Sequence, residues 1–153
     1  WGVEKKFSEL DGVTQTEVGY SQGISEKTSY EEVCSGKTNH VEVVLVTYND
    51  ENINYEKLIN FFYEIHDPTT LNQQGPDRGT QYRSLIGCYD EMQLKIAESR
   101  TAHLNQNNFN NKITTTIEYV NNYCPAEDYH QKYIEKKYSF LNIWYFIQVN
   151  MGK

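Results

Sequence analysis

Apolar side chains recur along this chain with two different periods, one helical and one extended. In "WGVEKKFSEL" (1–10), Val3, Phe7 and Leu10 fall at i, i+4 and i+7, a helical stripe closed by Asp11-Gly12. Residues 13–20, "VTQTEVGY", alternate as a half-buried strand does. "HVEVVLVTY" (40–48) is nearly all β-branched or apolar, the pattern of a central strand covered on both faces. Asn54 is positioned to cap "YEKLINFFYEIH", where Tyr55, Leu58, Ile59, Phe62 and Ile65 share one face. Asp67-Pro68 ends that helix, because proline disfavours helical geometry in the residue before it. Residues 84–89 then predict a strand, 90–104 a helix and "KITTTIEYV" (112–120) a further strand, with Asn-rich "NQNNFNN" (105–111) as a solvated connection. "PAEDYHQKYIEKK" has Pro125 in front, acids early and lysines late, which predicts a last helix. The tail "YSFLNIWYFIQVNMGK" is aromatic without a decisive period.

In order, these pieces read helix, strand, strand, helix, strand, helix, strand, helix. One strand before residue 1 turns the first part into β-α-β-β-α-β. The expected fold is therefore α/β (α+β): a two-layer, split β-α-β, ferredoxin-like core with extra helices and loops, its first strand lying upstream of residue 1. Without that strand a sheet edge would be uncovered, so the sequence is expected to begin inside a longer protein. Residues 1–153 form one domain in this reading, with 139–153 a divergent C-terminal tail.

Length and charge narrow the function classes. A chain of 153 residues fits one core. A net charge of −7, with no run of five Lys or Arg, argues against nucleic acid and anionic membranes, both of which reward dense positive charge. No apolar stretch approaches the roughly 20 residues that cross a bilayer, and no signal-like segment opens the chain at Trp1. Cys34, Cys88 and Cys124 match neither a disulfide framework nor a paired metal motif, which fits a reducing compartment. His40, His66, His103 and His130 are never three or four apart, so each reads as a structural or surface histidine and no metal site is expected. The expectation is a soluble, cytoplasmic monomer, with an upstream targeting segment left open.

Two places carry candidate chemistry. Glu42 shares a strand face with Val44 and Val46, and a carboxyl among apolar side chains stays protonated to higher pH, as a general acid requires. A solvated strand end is the equally open alternative. "QGPDRGTQYRS" (74–84) is too broken by Gly75, Pro76 and Gly79 for helix and too polar for core strand, yet it carries Asp77, Arg78, Tyr82 and Arg83. Tyr30 and Tyr82 are two phenols among thirteen, and spacing alone does not single them out.

The whole set of segments resembles the peptide methionine sulfoxide reductases of the A type. "WGVE", "GVTQTEVGYSQG", "TSYEEVCSGKTNHVEV", "FFYEIHDPTTLNQQGPDRGTQYRS" and "AEDYHQKY" follow in the family's order and separations over roughly residues 1 to 138. The resemblance implies the α/β split β-α-β fold and reduction of the S epimer of methionine sulfoxide, free or in oxidised proteins, by a thiol through a sulfenic acid. It implies that Glu42 protonates the sulfoxide oxygen, that Tyr30 and Tyr82 hydrogen-bond that oxygen, that Asp77 joins the polar side of the pocket and that Trp1 receives the substrate methyl. Arg83 is expected to anchor the loop and Arg78 to be solvated.

In the family the nucleophilic cysteine lies two residues before the matched tryptophan, so here it is expected upstream of Trp1. Family tails often carry resolving cysteines, whereas 139–153 has none. Cys124 is the candidate resolving thiol. An external thiol (thioredoxin, glutaredoxin or glutathione) is the alternative, with no bound cofactor. Cys34 and Cys88 are expected to be buried and inert. Two rival readings remain: a noncatalytic pocket binding oxidised methionine, and a ferredoxin-like regulatory domain in which Trp1, Tyr30, Glu42, Asp77 and Tyr82 make no contact.

Overall fold

The computed structural model describes residues 1–137, and the tail 139–153 lies outside them. The alternating stretch and the apolar run become a pair of long strands. β1 (Val13–Ser21) and β2 (Val41–Tyr48) run antiparallel, with Thr16 opposite Val46, Val18 opposite Val44 and Tyr20 opposite Glu42. On the other side of β1 lies β7 (Cys124–Pro125), giving the order β2-β1-β7. A second sheet is the parallel pair β5 (Leu85–Cys88) and β6 (Thr116–Tyr119), the connection between them being the helix α4 (Glu91–Asn107). From its first helix onward, the chain follows the α-β-β-α-β-α-β sequence expected of the split arrangement, and the architecture is α/β.

The helices add to this frame through packing more than through propensity. α3 (Tyr55–Ile65) begins where Asn54 accepts the Lys57 N–H at 2.9 Å, a cap worth about 1 kcal/mol. Burying Leu58, Ile59 and Tyr63 contributes about 1.5–3 kcal/mol each, so the apolar face decides the helix's place. Ile59 and Tyr63 join Ile86, Cys88 and Ala97 in one core, which fastens α3 and α4 to β5. Leu58 joins Phe7 and Ile53 in another, beneath the first helix, α1 (Gly2–Ser8).

Among the described residues β2 is paired on one side only, by β1, and beyond the buried Val41 its apolar residues are half-buried. Its free edge and that of β5 border the same cavity, described below. Other expectations need correction. No helix starts at Pro125: Cys124–Pro125 pairs with β1, where a missing N–H is tolerated, and helical geometry begins only at residue 133. The strand expected over 112–120 is confined to 116–119, because Asn110 and Asn111 turn with positive φ and Lys112 N–H is engaged by Phe109. A short helix, α2 (Tyr30–Cys34), went unread although Ser29 and Glu32 form a reciprocal capping box that starts it.

Candidate active site

α2 sets the first phenol. The capping box fixes Tyr30 as the first helical residue, and its N–H donates to Glu127 Oε1 at 2.9 Å. Glu127 Oε2 accepts the Tyr20 hydroxyl at 3.0 Å. Burial alone would raise this carboxyl, but the hydrogen bonds from Tyr30 and Tyr20 hold it below the usual carboxylate range. The acids that suggested a helix start at 125 thus include one that positions an active-site tyrosine.

The loop after α3 sets the second phenol. His66 is bonded through Nδ1 to Phe62 O (2.6 Å) and through Nε2 to Ser84 Oγ (2.8 Å), so both ends of the excursion are tied to one ring. Within it β3 (Gln73–Gln74) and β4 (Asp77–Arg78) form a tight hairpin, followed by a 3₁₀ turn at Thr80–Tyr82. Gly75 (φ +56°) and Gly79 (φ +144°) adopt backbone geometry that side chains disfavour, which is why glycine punctuates this stretch. Arg83 donates to Thr80 O (2.9 Å) and to Asn39 O (3.0 Å), anchoring the loop to the chain just before Glu42. Arg78 is exposed. The polar density of 74–84 therefore divides into groups that hold the loop and groups that face the cavity.

That cavity, of about 650 Å³, is lined by Trp1, Tyr30, Glu42, Asp77, Tyr82 and His130 at one end. It continues along β2 and β5 past Val44, Val46, Leu58 and Ile86. All five residues named from the sequence border it, which is the juxtaposition that the regulatory-domain reading excludes. Burial pushes the Glu42 carboxyl up, and the charge of Asp77 adds to the rise. Glu42 Oε1 is buried with no hydrogen-bond partner. The Tyr30 phenol is pushed up to about 12 by its hydrogen bond with Cys34 and then by burial. Burial, followed by the Glu42 charge, raises that of Tyr82. Phenols with raised pKa values remain protonated donors at neutral pH.

Beside these groups lies an aromatic stack. Trp1 Nε1 donates to His130 Nδ1 at 3.2 Å, and the indole stacks on Tyr133 with ring centroids 4.2 Å apart and planes inclined by 22°. His130 in turn lies 4.6 Å from the Tyr30 ring. An indole nitrogen only donates, so His130 Nδ1 is the acceptor and Nε2 carries the proton of the neutral ring. His130 Nε2 is buried and without a partner, and burial pushes its imidazole pKa down, keeping it neutral. One cavity thus brings together an aromatic surface, a carboxyl held up by burial and two phenols. This arrangement suits a ligand with a small apolar group beside a strongly polar oxygen.

The sequence missed His130, Tyr133 and Glu127. Their signal was the "AEDYHQKY" block itself, which carries part of the family resemblance and was expected to form a last helix. Cys34 also departs from expectation: it is exposed, whereas Cys88 is buried beneath the Tyr55 hydroxyl (3.7 Å). Cys124 is partly exposed on β7, its thiol 4.0 Å from Thr28 O, and it is not among the residues lining the cavity. Among the described residues no group of three or more His, Cys, Asp or Glu could hold a metal ion, and no helix is long and apolar enough to cross a membrane.

Comparison with known proteins gives a consistent picture. The sequence profile of the family described as peptide methionine sulfoxide reductase matches residues 1–150. The peptide methionine sulfoxide reductase MsrA of Pelagibacter ubique is 53% identical over 137 residues, covering 90% of this chain and 92% of that protein. Mxr1 from Saccharomyces cerevisiae in its reduced form superposes with a TM-score of 0.84 at 40% identity, over 89% of this chain and 79% of that one. The same yeast protein in complex with Trx2 superposes with a TM-score of 0.62 at 28% identity, over 84% and 74% of the two chains.

Proposed function

The chain belongs to the peptide methionine sulfoxide reductase family, and we propose from that premise that it reduces methionine S-sulfoxide, free or within oxidised proteins, to methionine. It is a thiol-dependent oxidoreductase. The observation that carries the residue assignment is the buried, unpartnered Glu42 Oε1 in the same cavity lining as Trp1, Tyr30, Tyr82 and His130.

A sulfoxide oxygen is a poor leaving group until it is protonated. In the proposed reaction the substrate methyl rests on the Trp1 indole, and Tyr30 and Tyr82 donate hydrogen bonds to the oxygen. A thiolate attacks the sulfur while Glu42, kept neutral by burial, gives its proton to the oxygen. The protonated oxygen then passes to the attacking sulfur: the substrate S–O bond and the transient bond between the two sulfurs both break, methionine leaves, and the attacking sulfur is left as a sulfenic acid. Two further thiol equivalents return it to the thiol and release water. A thioredoxin-type reductant is supported by the Trx2 complex of the yeast relative. Cys124 is the proposed alternative supplier of one equivalent, with glutaredoxin or glutathione as the other external candidates.

The attacking thiol is proposed to precede Trp1. Two observations support this: Trp1 lines the same cavity as Glu42, and among the described residues the unpaired edges of β2 and β5 border that cavity. An additional strand pairing with these edges would lead directly to the pocket. The test is an assay of protein carrying Gly-Cys-Phe before Trp1, with separated sulfoxide epimers and a thioredoxin system. Turnover of the S epimer alone is expected. Equal turnover of both epimers would remove the assignment, and binding without turnover would indicate a noncatalytic pocket.

A further inference from the structure

Glu4 takes no part in the chemistry set out above, yet its side chain is among the most protected in the protein, with 2% exposure. A carboxylate is removed from water at high cost unless its oxygens are met by donors. Here both oxygens receive one backbone N–H, that of Lys132, at 3.3 and 3.1 Å. Lys132 Nζ lies 3.7 Å from Oε1 and donates to Thr16 Oγ1 on β1 at 2.5 Å. The clamped residue is itself unusual: Lys132 has φ +53°, a left-handed geometry that a lysine adopts only when its surroundings impose it.

The position of this turn gives it consequence. His130 is two residues before Lys132 and Tyr133 is one residue after, and these are the rings that hold Trp1. Trp1 immediately precedes α1 and Glu4 lies three residues on, so both side chains fall on one side of the helix start. α1 therefore grips the 130–133 segment twice, by the indole between rings and by the carboxylate on the backbone between those same rings. We propose that Glu4 is a positioning residue for substrate binding: it holds the left-handed turn at Lys132 and so fixes the His130–Trp1–Tyr133 stack that receives the substrate methyl. This rests on the proposed sulfoxide reduction for its kinetic reading, but its structural reading stands apart from turnover.

The test uses the full-length protein in a Trp144→Phe background, leaving Trp1 as the one indole of this chain. Glu4→Ala is expected to raise acrylamide quenching of Trp1 fluorescence about twofold. It is also expected to raise KM for methionine S-sulfoxide about fivefold, with kcat nearly unchanged, as loss of a charge-assisted anchor predicts. Glu4→Gln, which keeps one acceptor oxygen, should fall between, and it carries the same comparison if Glu4→Ala does not fold. Ala97→Gly, in the buried face of α4, serves as a control of similar destabilisation and should move neither readout. Unchanged quenching and KM in the Glu4 variants, or equal changes in Ala97→Gly, would overturn the proposal. An inactive parent with a normal quenching response in Glu4→Ala would count against the sulfoxide reading while leaving the clamp intact.

Discussion

The two walls of the cavity are built on opposite plans. In the aromatic stack and the segment that carries it most polar groups are engaged: Trp1 Nε1 with His130, both Glu4 oxygens with Lys132, and Gln131 with Val18 N–H, Val18 O and Ala126 O. On the polar side, capacity is left free. Glu42 Oε1 has no partner, and the Tyr30 and Tyr82 phenols keep their protons to high pH. Satisfied buried groups specify one arrangement, while unsatisfied ones cost stability and persist where something else needs them. The aromatic wall is thus organised to hold a shape, and the polar wall to hold a reactive state. His130 Nε2 is the point where the two plans meet, a free donor within the shape-holding side.

Removing the reactive group should have the largest effect. Glu42→Gln retains the size and most of the hydrogen bonding of the side chain but cannot transfer a proton, so kcat is expected to fall about 100-fold or more with little change in KM. Steady-state kinetics with the S epimer checks this, and a variant at near-parental kcat would show that another group supplies the proton. Tyr30→Phe and Tyr82→Phe remove one donor each, and each should lower kcat/KM about tenfold. If the two phenols share one oxygen, the double variant should lose less or more than the product of the single losses. A strictly multiplicative result would separate their roles.

The aromatic wall should answer differently. Trp1→Leu keeps an apolar surface but loses the stack and the hydrogen bond to His130, so KM is expected to rise about fivefold while kcat changes little. A fall in kcat of the same size would mean that the wall contributes to the chemistry, erasing the contrast. Asp77 tests the polar wall from a distance. Its charge helps raise the Glu42 pKa, so Asp77→Asn should move the alkaline limb of the rate profile to lower pH, because Glu42 would lose its proton earlier. Asp77 is exposed, so added salt should mimic part of that shift in the parent protein. A limb that stays fixed in both would take Asp77 out of the proton balance.

The sequence reading reached the polar wall better than the aromatic one, for a physical reason. Glu42 stood out because strand alternation puts it among valines, and Tyr30, Asp77 and Tyr82 lay in segments whose resemblance is specific. β1, β2, α3 and α4 were legible from apolar period and capping residues, with bounds within a few positions. The 124–133 segment was not. Its acids and lysines have a helical charge gradient, but Glu127 is used on Tyr20 and Tyr30, Gln131 on Val18, and the turn at Lys132 depends on Glu4, 128 residues earlier. Local pattern cannot register partners so far away.

The smallest effect probes what the reactive wall costs the fold. Burial raises Glu42 above the ordinary carboxyl value of 4.5, so the folded chain keeps a proton that the unfolded chain releases. Below that value both states are protonated and Glu42 contributes no pH dependence. As pH rises from 4.5 towards the raised value, the unfolded state is increasingly favoured, and above it the loss is constant. Glu42→Gln has no such titration. Its urea midpoint should therefore gain on that of the parent as pH rises above the ordinary carboxyl value of 4.5, until Glu42 has titrated in the folded parent, with an unchanged slope on denaturant. Curves that stay parallel across this range would mean that the carboxyl is as well solvated in the folded protein as in the unfolded chain. The proposed acid would then lack the environment that keeps it protonated, and the difference between the two walls would reduce to one of shape.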